Sequence, residues 1–461
     1  MDTKLQINTI KNTQWLAGWT KKFCNATILH RAGIHKRSGI AAAWLIQLFI
    51  ALPFVDLSVY RLRGTANSLP HRSTFYDFLA HAHYKWRSLI YMVASRVIEE
   101  LNGLTCTDQD RVLIVDDSPY KRPRSKKVEY LGSQYDHSNQ SYYRGFRMNT
   151  MVWSDGHTTV PVDFELLSNA SAAKRLAAPP SVDRRTQLGR RCRAAVDKAT
   201  DQTAHMLRRV LRRGIDADYL VADSWYAHPE LLHKLNKEIP VVCMLKNSGT
   251  IKFRHGEKIY QLKGLYQKVC RRKRKTKSNQ HNIVGSLVVQ MLSGPTVRVV
   301  FVRDHRDPNR WLALASTDLK ITPQRVCRIY AKRWAIEVFF KQAKQHLGLA
   351  SEFQLRSYAG LIAHTSIVML RYMMLEYYRR QCSDDRTIPG LFHAYVQQMQ
   401  MLTIHLCTQM VLLEVVAGIV RYGSQQLLDQ VAQIIGQFYT NHPWLSALSI
   451  EQQGINSNSE S

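Results

Sequence analysis

The chain has 461 residues, 45% of them hydrophobic and 21% charged, which gives room for a large core in two or three domains. Its 64 Lys and Arg against 35 Asp and Glu leave a formal net charge of +29, an excess that points to a polyanionic partner, nucleic acid ahead of anionic membrane. The eight cysteines are scattered without a CxxC or a metal-ligand spacing, which argues against a disulfide framework and a structural zinc site and for reduced residues of a cytosolic protein.

Met1 to Asn25 is polar and lacks the apolar block of a signal peptide. The longest uncharged run, Ser38 to Val55, contains Gln47 and Pro53 and reads as a buried helix rather than a membrane span. Residues 1–107 are expected to form a helical N-terminal domain. Its helices are Ser38 to Leu52, a second capped by Ser73, and Tyr84 to Leu101 with Trp86, Leu89, Ile90, Val93 and Val97 at apolar spacing. Arg61, Arg63, His71 and Arg72 around its turns suit contact with DNA ends, and a plain helical cap is the equal alternative.

At Arg111 the pattern changes. Val112 to Val115 reads as a short strand ending in Asp116-Asp117-Ser118-Pro119, with a basic segment, Lys121 to Lys127, after it. Phe146 to Trp153 and Thr158 to Leu167 read as a hairpin around Asp155-Gly156. A long basic helix from Leu188 to Arg213 is expected to close at Gly214. Tyr219 to Ala222 is a second short strand, ending in Asp223-Ser224-Trp225-Tyr226. The helix Pro229 to Lys237 and the strand Val241 to Leu245 complete an alternating α/β pattern, so residues 108–249 read as the first part of a catalytic core. Residues 250–310 form a β-rich basic insertion, with strands over Ile283 to Met291 and Val297 to Val302 and a charge run from Arg271 to Lys275. The core returns over 311–350. A helical C-terminal region spans 351–445, and a disordered tail 446–461.

The returning segment carries the stretch around which the rest is arranged. Thr322 and Pro323 start a helix, and Gly348 stops it. At 100° per residue Tyr330, Arg333, Glu337 and Lys344 share a sector of roughly 60° on a helix that is otherwise largely apolar and so expected to be buried. A charged stripe there needs a partner, because unpaired buried charge is costly. The plain alternative is an i,i+4 ladder through Arg333, Glu337 and Lys341.

Three acidic positions then stand out: Asp116 and Asp223 at strand ends, and Glu337 on the helix. Ligands gather at the carboxyl ends of parallel strands, and carboxylate oxygens suit Mg²⁺ or Mn²⁺. Two such ions about 4 Å apart serve an in-line phosphoryl displacement. Taken singly, each aspartate also reads as a turn or N-cap residue.

The spacing Tyr-(2)-Arg-(3)-Glu-(6)-Lys, together with Asp116 two residues before Ser118 and Asp223 in Val-Ala-Asp-Ser-Trp-Tyr, resembles the DDE transposases of bacterial insertion sequences, specifically insertion sequence family four with its YREK signature. The resemblance covers about residues 110–350. It implies an α/β, ribonuclease-H-like mixed sheet with a β-rich insertion between the second Asp and the Glu, flanked by helical regions. It also implies a cut-and-paste transposase that cleaves transposon ends and transfers the freed 3′-hydroxyl to target DNA, through a hairpin in well-studied relatives. Asp116, Asp223 and Glu337 are then the catalytic residues and the ligands of two Mg²⁺ (or Mn²⁺) ions, and Tyr330, Arg333 and Lys344 contact end phosphates. The implied partners are double-stranded DNA, as inverted-repeat ends and target, and further copies of the chain in a synaptic dimer or multimer. The implied place is the bacterial cytoplasm at the nucleoid, with no membrane. Two departures stand beside the match: Asp117 directly follows Asp116, and residues 250–310 lack the Trp that some relatives place around a flipped base, leaving Phe253, Tyr260 and Tyr266. A non-transposing endonuclease on the same core and an idle DNA-binding relative are the alternatives.

Overall fold

The computed structural model describes residues 3–59, 71–104, 109–136, 139–273, 282–304, 307, 310–422 and 425–441. Its strands are β1 (Val112–Lys121), β2 (Gly132–Asp136), β3 (Ser141–Ser154), β4 (Thr159–Leu167), β5 (Tyr219–Ala222), β6 (Val241–Leu245), β7 (Lys252–His255), β8 (Lys258–Gln261), β9 (Ile283–Met291), β10 (Thr296–Arg303) and β11 (Trp311–Ser316). They form one 11-stranded sheet in the order β2-β3-β1-β5-β6-β11-β10-β9-β7-β8, with β4 also beside β3.

Val112 to Val115 is a continuous apolar run because it is covered on both faces, and each of the four is fully buried. β1 pairs parallel with β5 and antiparallel with β3, and β5 pairs parallel with β6. The path β4-β3-β1-β5-β6 is the ribonuclease-H-like mixed sheet. The insertion joins it through β11, which runs antiparallel to β6.

β1 does not end at Asp116. It continues to Lys121 because β3 goes on pairing with it as far as Lys121↔Gly145. Pro119 is tolerated there because β5 has already left the other edge, so its missing N–H breaks no rung. The basic helix expected over Leu188 to Arg213 is two helices, Gln187–Ala194 and Ala199–Leu211. In one straight helix Arg191 and Arg209 would stand about 27 Å apart. The break instead lets both reach the wholly buried carboxylates of β4: Arg191 Nη1 donates to Glu165 Oε2 at 2.9 Å and Arg209 Nη2 to Asp163 Oδ2 at 2.9 Å. Arg87, from the helix Trp86–Asn102, completes the cluster through Asp163 at 3.1 Å and so ties the N-terminal helices to the sheet.

The insertion also holds a helix, Leu262–Lys273, where only strands were expected. Leu262, Leu265 and Val269 are buried at i, i+3 and i+7, a helical period. In the N-terminal region the helix Arg72–Leu79 is capped by His71, whose Nδ1 accepts the Ser73 N–H, rather than by Ser73. Arg61, Arg63, Arg274, Lys275 and the expected tail 446–461 lie outside the described residues.

The helix Tyr358–Gln381 runs through the core and contains a fully buried arginine. Arg371 forks onto Glu352 (2.5 and 2.9 Å) and donates to the carbonyls of Leu347 (2.6 Å), Phe49 and Ile50 (3.2 Å). It thereby satisfies orphan carbonyls at the end of the apolar helix Ala42–Ala51 and fixes the loop after the Glu337 helix. Tyr358–Gln381 and Ile388–Arg421 are both long and apolar enough to cross a membrane, but the first is wholly buried in the protein and the second is only 11% buried. Among the described residues all seven cysteines are free thiols.

Candidate active site

The last parallel rung between β1 and β5 is Val115↔Ala222. Asp116 and Asp223 are the next residue on each strand, so the pairing sets them side by side where the strands diverge. Asp223 also caps the short turn that follows, its Oδ1 accepting the Trp225 N–H at 2.9 Å, so the turn reading and the site reading hold together. Burial pushes the Asp116 carboxyl up to about 7, with Asp223 and Asp117 pushing the same way against the Asp117 N–H and Arg333. Burial raises Asp223 as well.

The segment expected as one helix is two, Pro323–Ala331 and Trp334–Gln345. Thr322 accepts the Arg325 N–H at 3.3 Å, and Pro323 takes the first turn. Between the halves, i to i+3 bonds from Lys332 to Ile329 and from Arg333 to Tyr330 tighten the chain. Two cations turn inward at this break. Lys332 Nζ donates to the backbone carbonyls of Asp155 (2.9 Å) and Asp110, and Arg333 Nη1 donates to Asp116 Oδ2 at 3.2 Å. Arg333 Nη2 also donates to Glu337, so half of the i,i+4 ladder exists, but its arginine is shared with the first aspartate. The segment is not buried all round: Trp334 is 64% exposed, beside the site.

Lys344 Nζ donates to Ser118 Oγ at 2.6 Å, which joins the last turn of the Glu337 helix to β1. Tyr330 is half-buried, with the Arg333 guanidinium 5.9 Å from its ring centre, and burial raises its hydroxyl to about 12. All four residues of the stripe thus stand along the Asp116 edge of the sheet.

Asp117 has a different environment. Arg147 on β3 grips its two oxygens from Nε (2.7 Å) and Nη2 (2.6 Å), and Tyr226 donates towards it at 3.4 Å. The same guanidinium lies 3.8 Å from the Trp225 ring centre. Arg147 and Asn149 were not evident in the sequence. Their one signal is the β1–β3 register, which places Asn149 opposite Asp117 and Arg147 two residues on.

The insertion's aromatics are already engaged. Phe253 is buried, Tyr260 is half-buried under Lys268, and Tyr266 stacks on Trp311 with ring centres 4.4 Å apart.

A family model described as a DDE superfamily endonuclease matches residues 50–304. The chain belongs to this superfamily. The matched stretch contains Asp116 and Asp223 and ends before Glu337, which Arg333 links to Asp116. Among solved structures, this DDE endonuclease is distantly similar to "Cryo-EM structure of piggyBac transposase synaptic complex with hairpin DNA", at a TM-score of 0.41 and 10% identity over 86% of this chain and 80% of that one. It is also distantly similar to the "Drosophila P element transposase strand transfer complex", at a TM-score of 0.22 and 11% identity over 84% and 70%. No curated protein matches it.

DDE superfamily endonucleases generally use divalent metal ions. Among the described residues no group of three His, Cys, Asp or Glu is close enough to hold a metal ion. Arg333 stands as a cation between Asp116 and Glu337. The donor set itself is all carboxylate oxygen, and burial with mutual repulsion leaves Asp116 short of positive charge. Both features fit a hard divalent cation.

Proposed function

We propose that the chain is a DNA transposase of the insertion sequence family four type, cutting at the ends of its own element and joining them to target DNA. The observation that carries this reading is the placement of Asp116 and Asp223 one residue beyond the last parallel rung, with the Glu337 helix tied to Asp116 by Arg333. Asp116, Asp223 and Glu337 would hold Mg²⁺ or Mn²⁺, two ions in the full site. Bound there, the metal supplies an activated water and neutralises charge on the scissile phosphate.

The chain's own groups do the rest. Arg333 leaves its carboxylates for the phosphate, presenting a planar fork to two oxygens. Lys344 offers a point charge from the far end of the same helix, and Tyr330 a hydroxyl beside Arg333. Asp117 stays on Arg147 and is not a ligand. Self-association into a synaptic multimer is supported by the helix Ile388–Tyr422, where Met401, Ile404, Val411 and Leu413 are all more than half exposed. The chain would act on double-stranded DNA in the bacterial cytoplasm.

The test is cleavage of a duplex bearing the inverted repeats that flank the gene, comparing Mg²⁺ with EDTA and the native chain with Glu337→Ala. Metal-dependent nicking at the element boundary that the variant lacks supports the reading. A strand-transfer product separates transposition from simple endonuclease action. Binding with no cleavage under any divalent metal overturns it.

A further inference from the structure

The basic stretches Lys121–Lys127 and Leu188–Arg213, both legible in the sequence, are used differently by the fold. Arg191 and Arg209 are committed to Asp163 and Glu165, and Arg208 pairs with Glu238 at 2.8 Å. Within Lys121–Lys127, Arg122 is buried and donates to the carbonyls of Ala350 (3.0 Å), Phe353 (3.0 Å) and Leu355 (3.2 Å). That one side chain cross-links the loop after β1 to the loop after the Glu337 helix. Two further bonds reinforce the link: Glu129 N–H to the Arg356 carbonyl at 2.9 Å, and Tyr358 N–H to Glu129 Oε2 at 2.7 Å.

Between the two loops and the helix Arg72–Leu79 lies an open cleft of about 1190 Å³. Arg124, Lys126, Lys127 and Arg356 line it and are exposed, and among the described residues none of them has a carboxylate partner. Lys121 also lines it, paired with Asp136 at 3.4 Å, and Asp77 is the acidic residue on the opposite wall. The cleft's aromatic residues are not presented as stacking platforms, since Phe353 is buried and Tyr76 half-buried. A cleft with fixed walls, free cations and no exposed Phe, Tyr or Trp ring, its exposed His71 being engaged with Ser73, suits phosphates rather than bases.

We propose that this cleft is a second DNA site, which holds the backbone of a duplex running from the carboxylate cluster. The two are parts of one track: Lys121 lies five residues beyond Asp116 on β1, about 17 Å away, with Ser118 and Lys344 between them. At about 3.4 Å of helix axis per nucleotide of one strand, a duplex whose axis follows this line meets the cleft roughly five nucleotides from the phosphate at the carboxylates. The site rests on the transposase reading for the identity of that DNA, but its binding is measured without cleavage.

The experiment is salt-dependent binding of a labelled duplex, followed by anisotropy in EDTA. It compares the native chain with Arg124→Ala/Lys126→Ala/Lys127→Ala and with a control of equal charge change, Lys198→Ala/Arg212→Ala/Lys237→Ala. The cleft variant is expected to lower the slope of log K against log salt by about 2 to 3 and to bind roughly tenfold or more weakly, with the control nearer the native chain. Arg124→Lys/Lys126→Arg/Lys127→Arg, which keeps the charge, should keep the slope. A slope unchanged in the cleft variant, or lost equally in the charge-keeping one, overturns the proposal. A chain that never cleaves but shows the expected slopes overturns the nuclease reading and leaves the cleft standing.

Discussion

Arg333 and Asp116 are joined across 217 residues of sequence by a hydrogen bond of 3.2 Å, and the same guanidinium holds Glu337. One cation is therefore shared between two of the three carboxylates proposed for catalysis, in a position from which it can be drawn to a phosphate. Arg333→Ala is expected to lower single-turnover cleavage by about 10²–10³-fold, the usual effect of losing a preorganised donor. Arg333→Lys should restore little of it, because an ammonium offers no fork. Near-native cleavage in either variant would show that Arg333 serves only to neutralise the apo site.

Asp116 and Asp223 are proposed to be interdependent ligands, whereas Asp117 is held by Arg147. Asp116→Asn and Asp223→Asn are each expected to abolish cleavage while DNA binding in EDTA and the unfolding midpoint stay near native. Asp117→Asn should instead retain measurable cleavage and lose about 1 kcal/mol of stability, since the Arg147 pair is about one quarter exposed. Denaturant unfolding beside a cleavage gel separates the two patterns. A dead Asp117→Asn with native stability would move the first ligand to Asp117.

Much of this was legible from residue order, and what was missed has a common physical origin. Strands β5 and β6 were read at their observed bounds, because both are short apolar runs buried on both faces. The cap at Thr322–Pro323 and the stop at Gly348 were equally plain. By contrast, the continuation of β1 past Pro119 depends on β3, and the break at Lys332–Arg333 has no Pro or Gly to mark it. It forms where Asp110, Asp155 and Asp116, distant in sequence, draw two cations inward. The buried roles of Arg87, Arg191, Arg209 and Arg371 were not legible for the same reason: local sequence does not show a partner that tertiary packing supplies.

The buried cluster on β4 makes a prediction about acid. Burial pushes the Asp163 carboxyl up, but Arg209, Arg87 and Arg191 outweigh it and hold the group below its usual range. A carboxyl lowered in the fold contributes stability that is fully present above its unfolded value of about 3.9 and is lost as pH falls through the folded one. The unfolding free energy of the native chain should therefore fall with a steepening slope as pH drops from about 5 towards 3. Asp163→Asn should cost about 3–5 kcal/mol at pH 7, because it leaves three arginines on Glu165 alone, and should flatten the acid slope. An unchanged slope would mean that other carboxylates govern acid unfolding.

Gly348 connects stability to the site. It stands at φ +78°, where an L side chain costs about 1–2 kcal/mol, and a Cβ there would lie 2.9 Å from the Glu352 Cβ and 3.0 Å from its Oε2. Glu352 is gripped by the fully buried Arg371, whose Nη1 also holds the Leu347 carbonyl at 2.6 Å. Relieving the clash in Gly348→Ala therefore moves the loop that terminates the Glu337 helix, and with it the Lys344–Ser118 bond at that helix's last turn. The expected outcome is a loss of more than about 2 kcal/mol in denaturant unfolding, together with reduced cleavage at temperatures where the variant is still folded. Gly348→Asn should be milder, because Asn tolerates the left-handed region, while still meeting Glu352. If alanine and asparagine cost the same, the contact with Glu352 sets the penalty; if asparagine is near native, backbone strain does.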